Sequence, residues 1–254
     1  MNIIQEIPLF WKRRRLLLPR EKSLVLPLGK NKLAVRPLSY DMYVVAEVFW
    51  EQVYAPRVVQ IQNPAVVVDL GANIGAFSLW AARKWTPELI VAVEMDEENY
   101  VLFEENMRLN RLDSQVRLVK AAIWDCNERV GIRRHGFNHG MNQACSDPAG
   151  ADIPAITLER LLEMTGIEKV DVLKMDIEGA EGRLFSSDNE RILAESVGCL
   201  LAELHPTRGA SVERIARLLD RIGFEVHIRP QPLRTTPMLE AVNLRLQPGP
   251  GRCF

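Results

Sequence analysis

The chain has 254 residues, 47 % hydrophobic and 26 % charged, the proportions of an ordinary folded globule long enough to bury a full core. Its formal net charge of −1 leaves no general electrostatic case for nucleic acid or anionic lipid. No apolar run approaches the roughly 18 to 20 residues of a membrane span; the opening stretch puts its charges after a short apolar run, not before a long one, and the expected location is the cytoplasm.

The first periodic segments are LVLPL and KLAVRPL, within residues 24 to 38, which predict a strand pair around Gly29-Lys30-Asn31. DMYVVAEVFWEQVY, residues 41 to 54, carries apolar residues at helical spacing, with Asp41 placed to cap it. Pro56 and Pro64 bracket a linker. VVVDL then predicts a strand, AFSLWAARKW a helix, LIVAVEM a strand, EENYVLFEENMRLN a helix and VRLVKAAI a strand. Residues 125 to 153 are polar and rich in glycine and asparagine, and read as largely irregular with a short strand near Val130. Thr157 is placed to cap TLERLLEMTG, and VDVLKMDI and CLLAELH are strands. SVERIARLLDRIG is an amphipathic helix, with Val212, Ile215, Leu218, Leu219 and Ile222 on one face and Gly223 where it should stop. FEVHIRP and AVNLRLQP are the last two strands.

Alternating strands and helices imply an α/β fold, a parallel sheet with helices on both faces. The final strands have no helix between them and should form an antiparallel hairpin at one edge. The expected organisation is an N-terminal extension over residues 1–60, a strand pair and a helix, leading into one α/β domain over 61–254. Cys126, Cys145, Cys199 and Cys253 lack metal-site spacing and are expected as free thiols; with Cys253 second from last, the ending GRCF is not a prenylation box. The basic run WKRRR, 11 to 15, reads as a solvated or partner-facing segment.

In such a sheet, ligands sit beyond the carboxyl ends of the strands. VVVDL ends there, in Asp69, followed by Gly71, Asn73 and Gly75. Glycines let the backbone pass close to a ligand. A dinucleotide fold wants G-x-G-x-x-G to hold a pyrophosphate; this chain has D-x-G-x-N-x-G, without the middle glycine and with an acid in front. An acid beside the loop repels phosphate and suits a cationic ligand such as S-adenosylmethionine. Glu94, nineteen residues after Gly75 at the end of LIVAVEM, stands where an acid accepts hydrogen bonds from ribose hydroxyls. In the third strand, Ala122 is small enough to let a flat adenine lie against the backbone, and Trp124 reads as core.

Period-two alternation puts Lys174 and Asp176 on one face of VDVLKMDI, and Glu203 and His205 on one face of LLAELH. If these strands are neighbours, Asp176, Glu203 and His205 converge at the carboxyl edge, where a density of ionisable groups is expensive unless it serves a site. His205 has the ordinary pKa for a proton acceptor near neutrality and Asp176 the placement. Lys174 is expected to pair with a neighbouring carboxylate, Glu178 to line the site, and Glu181 to be a helix N-terminal acid. The same trio could hold a divalent ion; the reading adopted has no metal.

VVVDLGANIGAFS (66 to 78), VAVEMDEENYVLFEENMRLN (91 to 110), AAIWD (121 to 125), ITLERLL (156 to 162), VDVLKMDIEGAE (170 to 181) and AELHP (202 to 206) together resemble the FkbM family of S-adenosylmethionine-dependent methyltransferases. RPLSYDMYVVAEVFWEQVY is similar to that family's lead-in, and DIEGAE is its most selective motif. The resemblance implies a Rossmann-like class I methyltransferase fold, seven strands with a reversed last hairpin, and O-methylation of a hydroxyl on a sugar or small natural product. Met95, in the cofactor loop, departs from the proline common in the family. Two other readings stay open: an RNA or other nucleic-acid methyltransferase, and a module that binds the cofactor without chemistry.

Overall fold

The computed structural model of the protein describes residues 23–133, 142–145, 152–186, 189–205, 211–231 and 234–246. The basic run 11–15, Cys253 and much of the glycine- and asparagine-rich stretch lie outside the described residues. Strands β1 (Leu24–Leu28) and β2 (Asn31–Val35) pair antiparallel about a turn in which Gly29 takes a left-handed φ of 65°. Helix α1 (Asp41–Val45) runs on as a π-helical segment, Ala46–Trp50, and the chain leaves it at Gln52, where φ is 51°. Asp41 does not cap this helix. Tyr40 holds the cap position, and the Asp41 carboxylate is drawn instead to Arg36, whose backbone N and guanidinium both donate to it at 2.7 Å.

The main sheet follows: β3 (Val66–Leu70), α2 (Ala76–Trp85), β4 (Leu89–Glu94), α3 (Glu97–Leu109) and β5 (Val116–Lys120). After a short excursion come α4 (Leu158–Thr165), β10 (Val170–Met175), α5 (Glu181–Leu184), α6 (Glu190–Ser196), β11 (Val197–Glu203), α7 (Val212–Ile222), β12 (Phe224–Arg229) and β13 (Met238–Asn243). The order across the seven strands is β12-β13-β11-β10-β3-β4-β5, with β13 antiparallel to both neighbours and the other pairings parallel. Two cores explain the near-continuous apolar runs. Val68, Leu70, Val91 and Val93 face one core, with α4 and α7; Val67, Ile90 and Ala92 face the other, with α2 and α3. Thr157 caps α4 through its side chain, and Gly223 ends α7 at a φ of 103°.

VRLVKAAI is not one strand. β5 stops at Lys120, and β6 (Ala122–Ile123) leaves to pair with β9 (Ile153–Ile156) in a second sheet, ordered β6-β9-β7-β8, with β7 (Glu128–Arg133) and β8 (Gln143–Cys145). This segment therefore holds more strand than its composition implies. The last strand also begins earlier than AVNLRLQP, at Met238.

The N-terminal segment is tied to the sheet domain. Asn106 on α3 accepts from Ala34 N at 2.6 Å and donates back to Ala34 O at 3.1 Å; Asn110, one turn on, does the same with Lys32 at 3.0 and 2.6 Å. Two side-chain amides thus complete the open edge of β2 as a neighbouring strand would. Leu33, Val35, Val45, Val48 and Tyr54 are buried in the same core as Val67 and Phe77. Among the described residues no helix is long and apolar enough to cross a membrane.

Candidate active site

The glycine turn after β3 is wedged between two other strand ends. Gly71 N and Ala72 N donate to Val93 O at 3.1 and 3.0 Å, and a Cβ on Gly71 would overlap the carbonyl oxygen of Asp176. The close approach that Gly71 permits is therefore to the protein's own backbone. At Gly75, the N-cap of α2, an added Cβ would meet Phe103 and Met107 at 2.9 Å. Both glycines, and Asn73 between them, have positive φ.

Asp69 lies behind this turn, fully buried, and lines neither of the two clefts that meet there. Its Oδ2 accepts from Ser78 Oγ at 2.7 Å, and Lys174 Nζ stands 3.0 Å from Oδ1. Lys174, 3 % exposed, also donates to Gly71 O at 2.9 Å. The structure gives Asp69 a bracing place behind the turn, not the place beside a ligand expected of it, because a buried carboxylate needs its charge matched and Lys174 is the cation in reach.

In front of the turn is a cleft of ≈ 570 Å³ lined by Gly71, Asn73, Glu94, Met95, Ala122 and Asp176, with Ala121, Ile123, Ile177 and Glu178 completing much of its wall. Gly75 is not part of it. Glu94 accepts from Asn73 N and from Asp96 N, both at 2.7 Å, one bond to each oxygen. Burial pushes its carboxyl up to about 7 despite those bonds. Three carboxylates, Glu94, Asp176 and Glu178, face this cleft, and among the described residues lining it there is no lysine, arginine or histidine. Trp124 is buried outside it, with the Arg183 guanidinium 3.9 Å from its ring centre.

A second cleft, ≈ 1140 Å³, shares Gly71, Asn73, Asp176 and Glu178 with the first. Tyr40, Tyr43, Tyr54 and Phe77 form its aromatic side; Glu47, Glu203, His205 and Arg234 add charge. Tyr54 donates to Asp176 Oδ2 at 2.7 Å and lies 3.4 Å from Glu203 Oε2. Asp176 Oδ1 is buried and accepts no hydrogen bond among the described residues. Glu203 takes bonds from Gln231 at 3.1 Å and from Thr236; burial and the nearby Asp176 charge raise its pKa. Asp176, Glu203 and His205 thus come to one edge, since β10 and β11 are adjacent.

His205 sits between two acids. Its Nδ1 is 2.9 Å from Glu181 Oε1 and its Nε2 3.4 Å from Glu178 Oε2. Burial alone would lower its pKa, but the bond to Glu181 and the charges of Asp176, Glu181 and Glu178 outweigh it and push it up to about 10. The environment expected for a base titrating near neutrality is not the one His205 has. Glu181 opens α5 as expected, and its carboxylate, 1 % exposed, serves His205. Glu178 is held at a φ of 52°, beside Gly179 at 100°; burial, then Asp176, push its carboxyl up to about 8. Tyr54, Glu47 and Arg234 were not singled out from sequence. Arg234 pairs with Glu47 and with Glu51, joining the β12–β13 connection to the N-terminal segment. The only signal for Tyr54 was its place at the end of the lead-in WEQVY.

The strand order, with one antiparallel strand next to the end, is that of the class I methyltransferase fold, and the acid-lined cleft lies at the carboxyl ends of its parallel strands. A family model described as the methyltransferase FkbM domain matches residues 69–226, and the chain belongs to that family. The chain is expected to take S-adenosylmethionine as its methyl donor. It is 29 % identical over 251 residues to AMB antimetabolite synthetase AmbE of Pseudomonas aeruginosa, a match that covers 82 % of this chain and 12 % of that much longer protein. It is 24 % identical over 226 residues to 31-O-demethyl-FK506 methyltransferase FkbM of Streptomyces tacrolimicus, covering 75 % of this chain and 84 % of the relative. The crystal structure of methyltransferase FkbM from Methylobacillus flagellatus KT shares the fold, with a TM-score of 0.54 at 15 % identity over 94 % of this chain and 59 % of that one.

Proposed function

We propose that the protein transfers the methyl group of S-adenosylmethionine to a hydroxyl on a sugar or small natural product. The observation that carries this reading is the junction of the two clefts at Asp176: one cleft is acidic and, among the described residues, without a cation, while the other is larger, polar and aromatic. The first fits the cofactor's chemistry. Glu94 would hold the ribose hydroxyls, since each of its oxygens accepts one bond and has capacity for another. Ala122 and Met95 would flank the adenine, and Asp176, whose Oδ1 is left unpartnered, would face the cationic end. A pyrophosphate would meet three carboxylates there and, among the described residues, no cation. When bound, the cofactor supplies an electrophilic methyl on a sulfonium.

The rest is done by side chains. Asp176 is placed to take the hydroxyl's proton through Oδ1, while Tyr54 fixes Oδ2. Glu203, locked by Gln231 and Thr236, braces Tyr54, and His205 with its two acids closes the far side of the junction. Positioning supplies most of the rate, because the reacting atoms must be in line. The relative from Streptomyces tacrolimicus is named for methylation of an O-demethyl natural product, which favours a hydroxyl acceptor. The test is methyl transfer from labelled S-adenosylmethionine to a panel of sugars, hydroxylated natural products and RNA. Label in a methyl ether supports the reading; label in RNA alone replaces it with the nucleic-acid alternative.

A further inference from the structure

Asp176 also belongs to a second grouping at the junction. Asp176, Glu178 and His205 each offer one ligand atom, and these atoms all lie within 4.8 Å of one another. The trio differs from the one expected from strand alternation: Glu178 takes the place of Glu203, because the left-handed backbone at Glu178 turns the chain back over the end of β11. We infer that Asp176, Glu178 and His205 Nε2 form a site for a divalent cation of the Mn²⁺ or Mg²⁺ type.

Three further observations point to a ligand there. Glu181, nearly fully buried, stands 2.9 Å from His205 Nδ1, which fixes the ring and turns Nε2 toward Glu178; metal-binding histidines are oriented in this way, with a carboxylate on the nitrogen away from the ion. Asp176 Oδ1 is buried and has no hydrogen-bond partner among the described residues, and neither has Glu181 Oε2. The backbone at Glu178 lies in the left-handed region at φ 52°, disfavoured for a non-glycine residue, and the carboxylate stands 3.4 Å from the imidazole. Two carboxylates and one imidazole suit a hard or borderline divalent ion, and three protein ligands leave positions open. The open side gives onto the second cleft, which Asp176, Glu178 and His205 all line. An ion there takes the place a proton holds on Nε2 in its absence. It would also hold an acceptor hydroxyl beside the methyl donor. With the ion bound, Asp176 is a ligand and the hydroxyl's proton passes to water in the cleft. The role of the ion rests on the hydroxyl-transfer reading; its binding does not.

Binding is therefore tested without an acceptor. Mn²⁺ is titrated into the full chain and free Mn²⁺ is followed by electron paramagnetic resonance. The expected result is one site per chain. Glu178→Gln should weaken it by at least about 10-fold, and so should Glu181→Gln, which alters only the group behind the imidazole. Circular dichroism should keep the wild-type signal in both variants, and S-adenosylhomocysteine affinity should stay at the wild-type value in Glu181→Gln, whose side chain lines neither cleft, so that a lost site is not a lost fold. No site in the wild type, or undiminished binding in Glu178→Gln, overturns the proposal. Methyl transfer is then measured with chelator and with added Mg²⁺. Mn²⁺ binding without any hydroxyl methylation would leave the cation site standing and remove the acceptor reading; full activity in chelator would overturn the cation's part in the reaction.

Discussion

Tyr54 donates a hydrogen bond to Asp176 Oδ2 across 2.7 Å, although 122 positions separate them in the chain. The tyrosine is buried with the core of the N-terminal segment, while Asp176 follows β10, the strand paired with β3. The N-terminal segment is thereby part of the site and not an appendage to it.

Tyr54→Phe removes that bond and the longer one to Glu203 at 3.4 Å, while the ring keeps its edge contact with Phe77 at 5.5 Å. A hydrogen bond to a charged group contributes about 1.5–3 kcal/mol, so methyl transfer should slow by about 10- to 100-fold. Affinity for S-adenosylhomocysteine should be unchanged, because Tyr54 lines the second cleft and not the first. Single-turnover rates beside calorimetry decide it; an unaltered rate would remove Tyr54 from the reaction.

The buried pair Asp69–Lys174 gives a stability prediction. Lys174→Met leaves the Asp69 charge buried with only Ser78 as a donor partner among the described residues, and should cost about 3–5 kcal/mol in chemical denaturation. Adding Asp69→Asn to that variant should restore most of the loss, since the amide can still bond Ser78 and carries no charge. A single variant as stable as the wild type would show that the pair is not what holds the turn.

Glu94 gives a pH dependence. Burial raises its folded-state pKa from 4.5 to about 7, so its contribution to stability is fully present below 4.5 and is lost as pH rises through about 7. Ligand-free wild type should therefore lose stability relative to Glu94→Gln across that window. Binding runs the other way, because ribose hydroxyls donate to the ionised form. S-adenosylhomocysteine affinity in the wild type should fall as pH drops below about 7 and stay flat in Glu94→Gln, which should bind more weakly by about 1–3 kcal/mol. A wild-type affinity independent of pH from 5.5 to 8.5 would separate Glu94 from the ligand.

Two glycines with similar φ separate local strain from close approach. Gly29, at φ 65°, has nothing within 4 Å of an added Cβ among the described residues, so Gly29→Ala should cost only the left-handed penalty of about 1–2 kcal/mol. Gly71, at φ 73°, would drive its Cβ into the Asp176 carbonyl, and Gly71→Ala should cost clearly more and disturb both clefts. Equal losses in thermal unfolding would mean that the turn yields easily.

The sheet was legible where neighbours in sequence carry the signal. VVVDL, LIVAVEM and VDVLKM alternate between two cores along a continuous apolar run, and Thr157 and Gly223 mark helix ends through their own side chain or backbone. Strand ends found in this way are also where Gly71, Glu94, Met95, Ala122 and Asp176 meet the first cleft. The small sheet of β6 to β9 was less legible, since its strands are short and two of them hold β-structure only by pairing across a polar segment. What sequence could not show is which charges become partners. Asp69 turns inward to Lys174, Asp41 to Arg36, and His205 to Glu178 and Glu181, while Tyr54 reaches Asp176 from another part of the chain. Periodicity and turn chemistry are properties of a few consecutive residues. The pairing of buried charges depends on which distant elements pack within about 4 Å of each other, where the cost of burial forces each charge to the counter-charge it can reach.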